Sequence, residues 1–368
     1  MLVSQYLLIT SVIGLAVYCL VFFKKLGDFQ SSNKDNIKEA DLPVSVIICA
    51  KNELDNLKKY IPSIIAQEYS YFEIVVVIDN STDGSYEYLQ ELAITNPVLK
   101  VFRFDEKKIS GGKKEALAFG ISKASHERLL LTDADCYPRS NKWIKLMVSG
   151  FKDKTELVLG IGLYESSNNK FLSKVIQWDT LMIAIQYLSY SLSKRTYMSV
   201  GRNVAYTKNL FAEVNGFDAH LDLSSGDDDL FVKDAQLQTN TSIIIERDSQ
   251  TVSPPNKSWS SFLNQKTRHF STSTRYDNGT LILLGFYQLC IVMFYGSSVV
   301  ILTCSGDLLL LLTLFLIKNI VQATVFKRIF FKIGVRVQLL SFMFFDIIWV
   351  LLLTFINVKR IISPRSKW

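Results

Sequence analysis

Acidic residues in this 368-residue chain stand where apolar segments end, with a spacing that suits metal and proton chemistry. Asp133 and Asp135 follow the apolar segment 129–131 and are two residues apart. In an extended chain, both carboxylates can reach one side of a short turn. Their hard oxygens suit Mg²⁺ or Mn²⁺, which bind one or two carboxylates together with substrate phosphates. The pair therefore predicts a divalent metal site, although an Asp-x-Asp pair taken alone is common.

A run of three acids, Asp227 to Asp229, precedes another apolar stretch. Acidic residues are favoured in the first turn of a helix, so the run fits a solvated helix N-terminus. It also fits a general base with acidic neighbours that tune its proton affinity. Because three adjacent acids exceed what helix capping requires, we predict that one of them is a base.

Two further polar segments follow apolar runs. Asp79 opens the segment DNSTDG, which suits a helix N-cap with an Asx turn, and Asn52-Glu53 follows an earlier run. Clustered carboxylates repel one another unless a cation or a hydrogen-bonding ligand lies among them. The arrangement therefore predicts a metal with a ribose or base nearby. The segment Gly111-Gly112-Lys113-Lys114 precedes a helix and is either a plain turn or a diphosphate site built from amides and a lysine.

These residues must be positioned by alternating strands and helices. Apolar segments typical of buried strands cover 44–50, 72–78, 99–102 and 128–131, and helical spacing covers 54–66, 85–93 and 112–122. The β-α-β-α order predicts a doubly wound α/β sheet. Ligands bind at the carboxyl ends of the strands in such sheets, so the polar residues above are expected to converge there.

In this order, the segments resemble those of glycosyltransferase family 2 enzymes with the GT-A fold, over residues 43–276. The elements that carry the resemblance are VSVIICAKNE at 44–53, IDNSTDGS at 78–85, GKKEAL at 112–117, TDAD at 132–135, GRNVAY and NGFD at 201–206 and 215–218, GDD at 226–228, and QKTRH at 265–269. Ile78 stands where the family has the first of two aspartates. His269 replaces the tryptophan of Gln-x-x-Arg-Trp, so the resemblance does not extend to the aromatic platform of processive members.

The resemblance implies a Rossmann-like mixed sheet and inverting transfer of a sugar from a nucleoside diphosphate donor, with a UDP-sugar favoured. It maps the catalytic base onto Asp228, or onto Asp227 or Asp229 if the register shifts by one. The other residues that it assigns are Asn52, Glu53, Asp79, Lys113 and Asp133 on the nucleotide and its phosphates, Asp135 with Asp133 on Mg²⁺ or Mn²⁺, and Gln265 with Arg268 on the diphosphate side.

Both ends of the chain carry long apolar runs. Residues 5–23 are long enough to cross a bilayer and are followed by Lys24-Lys25, which favours an anchor over a signal peptide. The same basic pair predicts that the catalytic domain faces the cytoplasm. We predict an anchor at 1–27, a linker at 28–42, the catalytic domain at 43–276 and two or three spans within 277–368. Three spans would place Lys359, Arg360, Arg365 and Lys367 outside, against the positive-inside rule. The protein is expected to be integral to the membrane, the inner membrane of a cell being favoured.

Charge and composition narrow the alternatives. The net charge is +7, but many basic residues flank the apolar runs, which favours lipid headgroups over nucleic acid as the partner. The five cysteines form no CxxC pair, which argues against a zinc site. Segment 171–192 is either a core helix or an interfacial helix. The acceptor is expected to be lipid-linked or a saccharide. An inactive scaffold and a nucleotidyltransferase are the alternative functions.

Overall fold

The computed structural model describes residues 2–30, 42–105, 112–152, 154–223, 225–336 and 339–362. The chain divides into two compact units, Ser31–Arg275 and Met1–Gln30 with Tyr276–Trp368. Most of the predicted linker, Gly111, and the tail residues Arg365 and Lys367 lie outside the described residues.

Thirteen α-helices are defined in the described part of the chain. They are α1 (Leu2–Tyr18), α2 (Lys24–Asp28), α3 (Leu54–Ile65), α4 (Ser85–Thr95), α5 (Lys114–Lys123), α6 (Trp143–Val148), α7 (Lys170–Ser191), α8 (Lys208–Glu213), α9 (Asp229–Ala235), α10 (Trp259–Ser271), α11 (Asn278–Val300), α12 (Leu308–Lys332) and α13 (Leu339–Ile362). Short π-helical segments, Cys19–Phe23 and Ile301–Ser305, continue α1 and α11. Short 3₁₀ segments cover Asp218–His220, Arg247–Ser249 and Thr272–Arg275.

The strands are β1 (Val44–Ala50), β2 (Phe72–Asp79), β3 (Leu99–Phe104), β4 (Arg128–Asp133), β5 (Tyr137–Pro138), β6 (Thr155–Leu159), β7 (Gly162–Tyr164), β8 (Val204–Thr207), β9 (Asn240–Ile243) and β10 (Thr251–Ser253). Seven form a sheet in the order β3-β2-β1-β4-β8-β6-β9, and three form a second sheet in the order β5-β10-β7. Strand β8 runs antiparallel to β4 and β6, whereas β1 to β4 are parallel. The α/β class and the mixed sheet predicted from the sequence are confirmed.

Three parallel strands end at the same level of the large sheet. Cys49 of β1 lies opposite Val77 of β2 on one side and Asp133 of β4 on the other. The polar residues that follow these strands must therefore emerge along one edge. Helix α5 packs directly on the sheet through Gly120, where an added Cβ would lie 2.9 Å from Val77 Cγ2. The sheet thus brings residues that are distant in sequence to one edge.

Helix α7 is a core helix of this unit. Most of its 22 residues are buried, Trp178 and Tyr187 among them, so the interfacial alternative does not describe it. The Tyr187 hydroxyl donates to the Gly160 carbonyl at 2.6 Å. Asp179 of α7 forms a buried ion pair of 2.6 Å with Lys266 of α10, which fixes these two helices against each other.

The second unit contains three helical spans that are long and apolar enough to cross a membrane, Leu2–Asp28, Asn278–Cys304 and Leu308–Lys332, and a shorter apolar stretch, Met343–Val358 in α13. Aromatic contacts join these helices: the Tyr18 and Tyr287 ring centroids are 4.6 Å apart, and Phe23 and Phe326 are 5.5 Å apart. An added Cβ on Gly14 of α1 would lie 2.6 Å from the Cys290 sulfur of α11. Small residues allow such close approach between membrane helices.

Helix α12 carries polar residues, which are unusual in a membrane span, and they lie inside this unit. Lys318, Asn319 and Gln322 are all buried. The Lys318 ammonium donates to Asp346 Oδ2 of α13 at 2.6 Å, and the Tyr295 hydroxyl donates to the same oxygen at 3.1 Å. A charge within an apolar helix is tolerated when it is paired inside the bundle. The pair therefore ties α12 to α13.

Candidate active site

The turns after β1 and β2 are bonded to each other at the strand edge. The backbone N–H of Asn52 donates to Ser81 Oγ, and the N–H of Thr82 donates to Asn52 Oδ1, both at 2.9 Å. Asn52 adopts a left-handed conformation with φ of 54°, which asparagine tolerates well. The Leu54 N–H donates to Asp83 Oδ2 at 2.8 Å. The two turns therefore form one cross-linked surface.

Glu53 and Asp79, the other predicted nucleotide residues, lie on these same turns. Asp79 is buried at the last position of β2, and the Asn80 amide donates to its Oδ1 at 3.3 Å. Glu53 accepts from the Asn56 amide at 2.5 Å just before α3. Asn52, Glu53 and Asp79 thus occupy adjacent turns of the edge, as the order of the motifs predicted.

Lys113 joins the two acidic clusters of the site. Its Nζ lies 2.7 Å from Asp133 Oδ1 and 3.1 Å from Asp227 Oδ2. Burial alone would lower the pKa of Lys113, but Asp133 and Asp227 outweigh it and raise the pKa well above its usual value. The lysine is therefore a permanent cation at the start of α5, where the predicted diphosphate loop lies.

Asp133, Asp135 and Cys136 bring one ligand atom each to within 4.8 Å of one another. Asp135 forms no ion pair with any residue that the structure describes, and its Oδ1 accepts only a weak bond from the Cys136 thiol at 3.4 Å. Burial, and then the charge of Asp133, raise the pKa of Asp135 to about 6. An uncompensated carboxylate beside a second one is a site that a divalent cation stabilises. The donor set therefore fits the predicted metal.

Contacts separate the roles of the three consecutive acids. Asp229 is buried, and it accepts from the Leu230 N–H and from the Thr272 hydroxyl. Asp227 pairs with Lys113, as described above. Asp228 accepts from the Gly201 N–H at 3.0 Å and from its neighbour's N–H at 2.9 Å.

In the described structure Asp228 forms no ion pair and accepts only from two backbone N–H groups, whereas Asp227 pairs with Lys113. Burial, followed by the charges of Asp227 and Asp229, raises its pKa from 3.8 to about 8. A carboxylate with this proton affinity can accept a proton from a hydroxyl group near neutral or mildly alkaline pH. The geometry thus favours Asp228 as the base.

The two predicted residues of helix α10, Gln265 and Arg268, differ in their contacts. Gln265 donates through Nε2 to the Tyr164 hydroxyl at 3.3 Å and accepts from the Asn256 amide at 2.6 Å. Arg268 is exposed and forms no ion pair with any residue in the described ranges. The structure therefore brings Gln265 into a hydrogen-bond network and does not bring Arg268 to the carboxylates.

Two functional candidates have no predicted role. Burial alone would lower the pKa of Arg202, but its neighbours, Tyr164 first and Asp133 and Asp135 less strongly, raise it above its usual value. Lys114 is fully buried and donates to the carbonyls of His220 and Leu223, which fixes the loop before Asp227. Lys114 shares the inward face of α5 with Leu117 and Ile121, a spacing that was readable from the sequence, whereas Arg202 was noted only as part of the GRNVAY segment and was given no role of its own.

Comparisons with known proteins match glycosyltransferases. Residues 45–214 match the model of the "Glycosyl transferase family 2". Glycosyltransferase AglE of Haloferax volcanii is 31% identical over 193 residues, which cover 50% of this chain and 58% of that protein. Dolichol-phosphate mannosyltransferase of Pyrococcus furiosus is 30% identical over 146 residues, which cover 39% and 40% of the two chains. The chain thus spans little more than half of the first relative's length.

A solved structure shares the fold. The mannosyltransferase PcManGT from Pyrobaculum calidifontis, determined with GDP-Man and Mn²⁺, superposes with a TM-score of 0.64 and 17% sequence identity. The alignment covers 98% of this chain and 100% of that one.

Proposed function

Since this chain carries a glycosyltransferase family 2 domain with the GT-A fold, we propose that it transfers a sugar from a nucleoside diphosphate donor to a lipid-linked or saccharide acceptor at a membrane. The observation that carries the proposal is the contact of Lys113 with both Asp133 and Asp227. This lysine links the candidate metal site at Asp133 and Asp135 to the acidic run that contains the proposed base. The reaction needs both the metal site and the base.

The donor side is formed by the turns after β1, β2 and β4. The nucleobase and ribose of the donor bind to Asn52, Glu53 and Asp79. The cross-linked turns provide a rigid surface for them. Asp135 and Asp133 hold Mg²⁺ or Mn²⁺, which when bound neutralises charge on the departing diphosphate. Lys113 binds the same phosphates as a point charge. Gln265 completes this side, together with Arg268 once its exposed side chain turns toward the donor.

The acceptor side is formed around Asp228. Its free carboxylate takes the proton of the acceptor hydroxyl while that oxygen attacks the anomeric carbon. The bond from the anomeric carbon to the diphosphate oxygen breaks, and its electron pair leaves with the nucleoside diphosphate. Attack from the side opposite the leaving group inverts the anomeric configuration. Asp227 and Asp229 raise the proton affinity of Asp228, which suits it to this transfer.

Several features support a lipid-linked acceptor and a cytoplasmic active site. The spans bracket the catalytic domain in sequence. The basic pair Lys24-Lys25 follows the first apolar run, which favours the cytoplasmic side of a cell's inner membrane for the residues after it. One relative, the dolichol-phosphate mannosyltransferase, bears a lipid carrier in its name. UDP-sugars and GDP-sugars are both candidate donors.

The test uses the purified full chain with Mn²⁺, a panel of radiolabelled UDP- and GDP-sugars, and membrane lipid extract. We expect label in the organic phase and release of free UDP or GDP. Release of pyrophosphate would indicate a nucleotidyltransferase instead, and the absence of turnover with every donor would favour an inactive scaffold. Label that enters only water-soluble products would refute the lipid-linked acceptor.

Two variants test the assigned roles. Asp135→Ala should lose metal-dependent binding of the donor, and Asp228→Asn should lose transfer while it keeps donor binding. Asp234→Asn is the matched control, because Asp234 lies on α9, which follows directly after Asp228, and its contact is with Lys233. Donor binding by Asp135→Ala that still depends on Mn²⁺ would contradict the metal assignment.

A further inference from the structure

Arg202 is held in a fixed position beside the candidate metal pair. Its Nη2 donates to the Gly162 carbonyl at 3.1 Å, and its Nη1 donates to Ser253 Oγ at 3.3 Å. The guanidinium carbon lies 4.1 Å from the centre of the Tyr164 ring, over which the group stacks. These contacts come from β7 and β10 of the small sheet, so the guanidinium plane is held by two strands.

The Arg202 side chain fits in this position because residue 162 is glycine. A Cβ added to Gly162 would lie 2.4 Å from Arg202 Nε and 2.8 Å from its Cγ. Such distances are too short for any side chain, so a residue larger than glycine at 162 must displace the arginine. The Thr251 hydroxyl also donates to the Arg202 carbonyl at 3.0 Å.

The positive charge of Arg202 is not neutralised by a direct partner. Arg202 forms no ion pair within the ranges that the structure describes, and only two of its five N–H donors have a described acceptor. Ser253, which accepts one of them, also contacts the Cys136 thiol at 2.9 Å, next to Asp135. A half-buried guanidinium without a carboxylate partner retains donors for an anion.

Arg202 lies near both the proposed base and the candidate metal pair. Arg202 follows Gly201, whose N–H donates to Asp228, the proposed base. The metal pair lies on the other side, through Ser253 and Cys136. In the proposed reaction a substrate phosphate lies between these groups, and the planar fork of an arginine matches phosphate oxygens in pairs. Exposed Arg268 has no comparable support.

We propose that Arg202 binds a phosphate group of a substrate between the metal pair and the base. The inference rests on the proposed function, since it needs a phosphate-bearing substrate at this site. The phosphate belongs either to the diphosphate of the donor or to a lipid phosphate of the acceptor. Both present the same oxygens to the guanidinium, and separate binding measurements distinguish them.

The test measures binding by the full chain in detergent with Mn²⁺ at constant pH. The probes are UDP, GDP, inorganic pyrophosphate and a short-chain polyprenyl phosphate, and uridine and guanosine serve as phosphate-free controls. Arg202→Gln should weaken binding of at least one phosphate probe by about 10-fold or more, the effect of losing charged hydrogen bonds, with nucleoside binding unchanged. Arg202→Lys should recover only part of this loss.

Gly162→Ala provides an independent variant, because it keeps the charge and displaces the guanidinium. It should weaken the same probe as Arg202→Gln. Arg139→Gln is the charge-matched control, because the Arg139 guanidinium donates to Gln250. This variant should bind every probe as tightly as the wild type does. Loss confined to nucleoside diphosphates and pyrophosphate assigns Arg202 to the donor, and loss confined to the lipid phosphate assigns it to the acceptor.

The outcomes against the inference are distinct from failure of the proposed function. Arg202→Gln that binds all four phosphate probes as tightly as the wild type would overturn the inference alone. Equal weakening of nucleosides and phosphates would also overturn it, because it would indicate a purely structural arginine. A wild-type chain that binds none of the phosphate probes would overturn the proposed function together with the inference.

Discussion

Replacement of Asp228 by asparagine should abolish transfer and, at neutral pH, stabilise the catalytic unit. The fold raises the pKa of Asp228 from 3.8 to about 8 through burial and the charges of its two acidic neighbours. A raised carboxylate pKa means that the folded state binds a proton more tightly than the unfolded state. Folding therefore becomes less favourable as the pH rises from about 4 to about 8, and asparagine removes this penalty because it carries no charge.

The magnitude follows from the difference between the two pKa values. At pH 7 the penalty spans 7 − 3.8 = 3.2 pH units, with a ceiling of about 4 kcal/mol at 1.36 kcal/mol per unit. Asp228 is half-buried, so solvent screening reduces this to about 2 kcal/mol. Asparagine offers one acceptor oxygen where the carboxylate accepts from two N–H groups, which costs about 1 kcal/mol. The net gain is about 1 kcal/mol.

The assay is thermal unfolding of the full chain in detergent, followed by intrinsic fluorescence between pH 5 and pH 8. A gain of about 1 kcal/mol corresponds to a rise in Tm of roughly 2–4 °C at pH 7 for a unit of this size. At pH 5 the relieved penalty and the lost hydrogen bond are both about 1 kcal/mol, so Tm should hardly change. A Tm difference that is the same at every pH, or that falls as the pH rises, would refute the reasoning.

Other perturbations test the same charges and the buried ion pairs. Because Asp228 must lose its proton before it can act as a base, kcat/KM of the wild type should increase with pH up to about 8, and a flat profile from pH 6 to pH 9 would argue against this base. Lys318→Met should destabilise the membrane unit by about 3–5 kcal/mol, since it leaves the buried Asp346 without its cation. Lys318→Met with Asp346→Leu should regain most of the loss in a thermal unfolding measurement. Asp179→Asn should leave Lys266 buried without its partner and lower stability to urea by about 3–5 kcal/mol, and Asp179→Leu with Lys266→Met should largely restore it. Equal stabilities of the single and double variants would contradict both expectations.

Local sequence was sufficient for the residues that end strands. Apolar runs with β-branched residues stop at Asp79 and Asp133, and strand length places both at one edge. Strand β3 extends to Phe104 rather than Phe102, because it pairs with β2 as far as Asp79. Strand ends are therefore readable because a change from apolar to polar residues marks them.

The roles within the acidic run depend on contacts that local sequence does not contain. Asp227, Asp228 and Asp229 have the same side chain, and they differ because Lys113, Gly201 and Thr272 approach them from separate segments. Helix α7 is a similar case, since an apolar segment of 22 residues suits a core or a membrane surface equally well. Only the packing of the whole unit distinguishes these possibilities.

Lys113 also links binding of the donor to the proton affinity of the base. In this structure one ammonium group serves both Asp133 and Asp227. A donor diphosphate brings competing oxygens to that ammonium, so Asp227 loses part of its compensation just beside Asp228. The freed negative charge increases the proton affinity of the neighbouring carboxylate. Arrival of the donor therefore changes the proton affinity of the base before the acceptor reacts, and we expect the pKa of Asp228 to be higher in the donor complex than in the free chain.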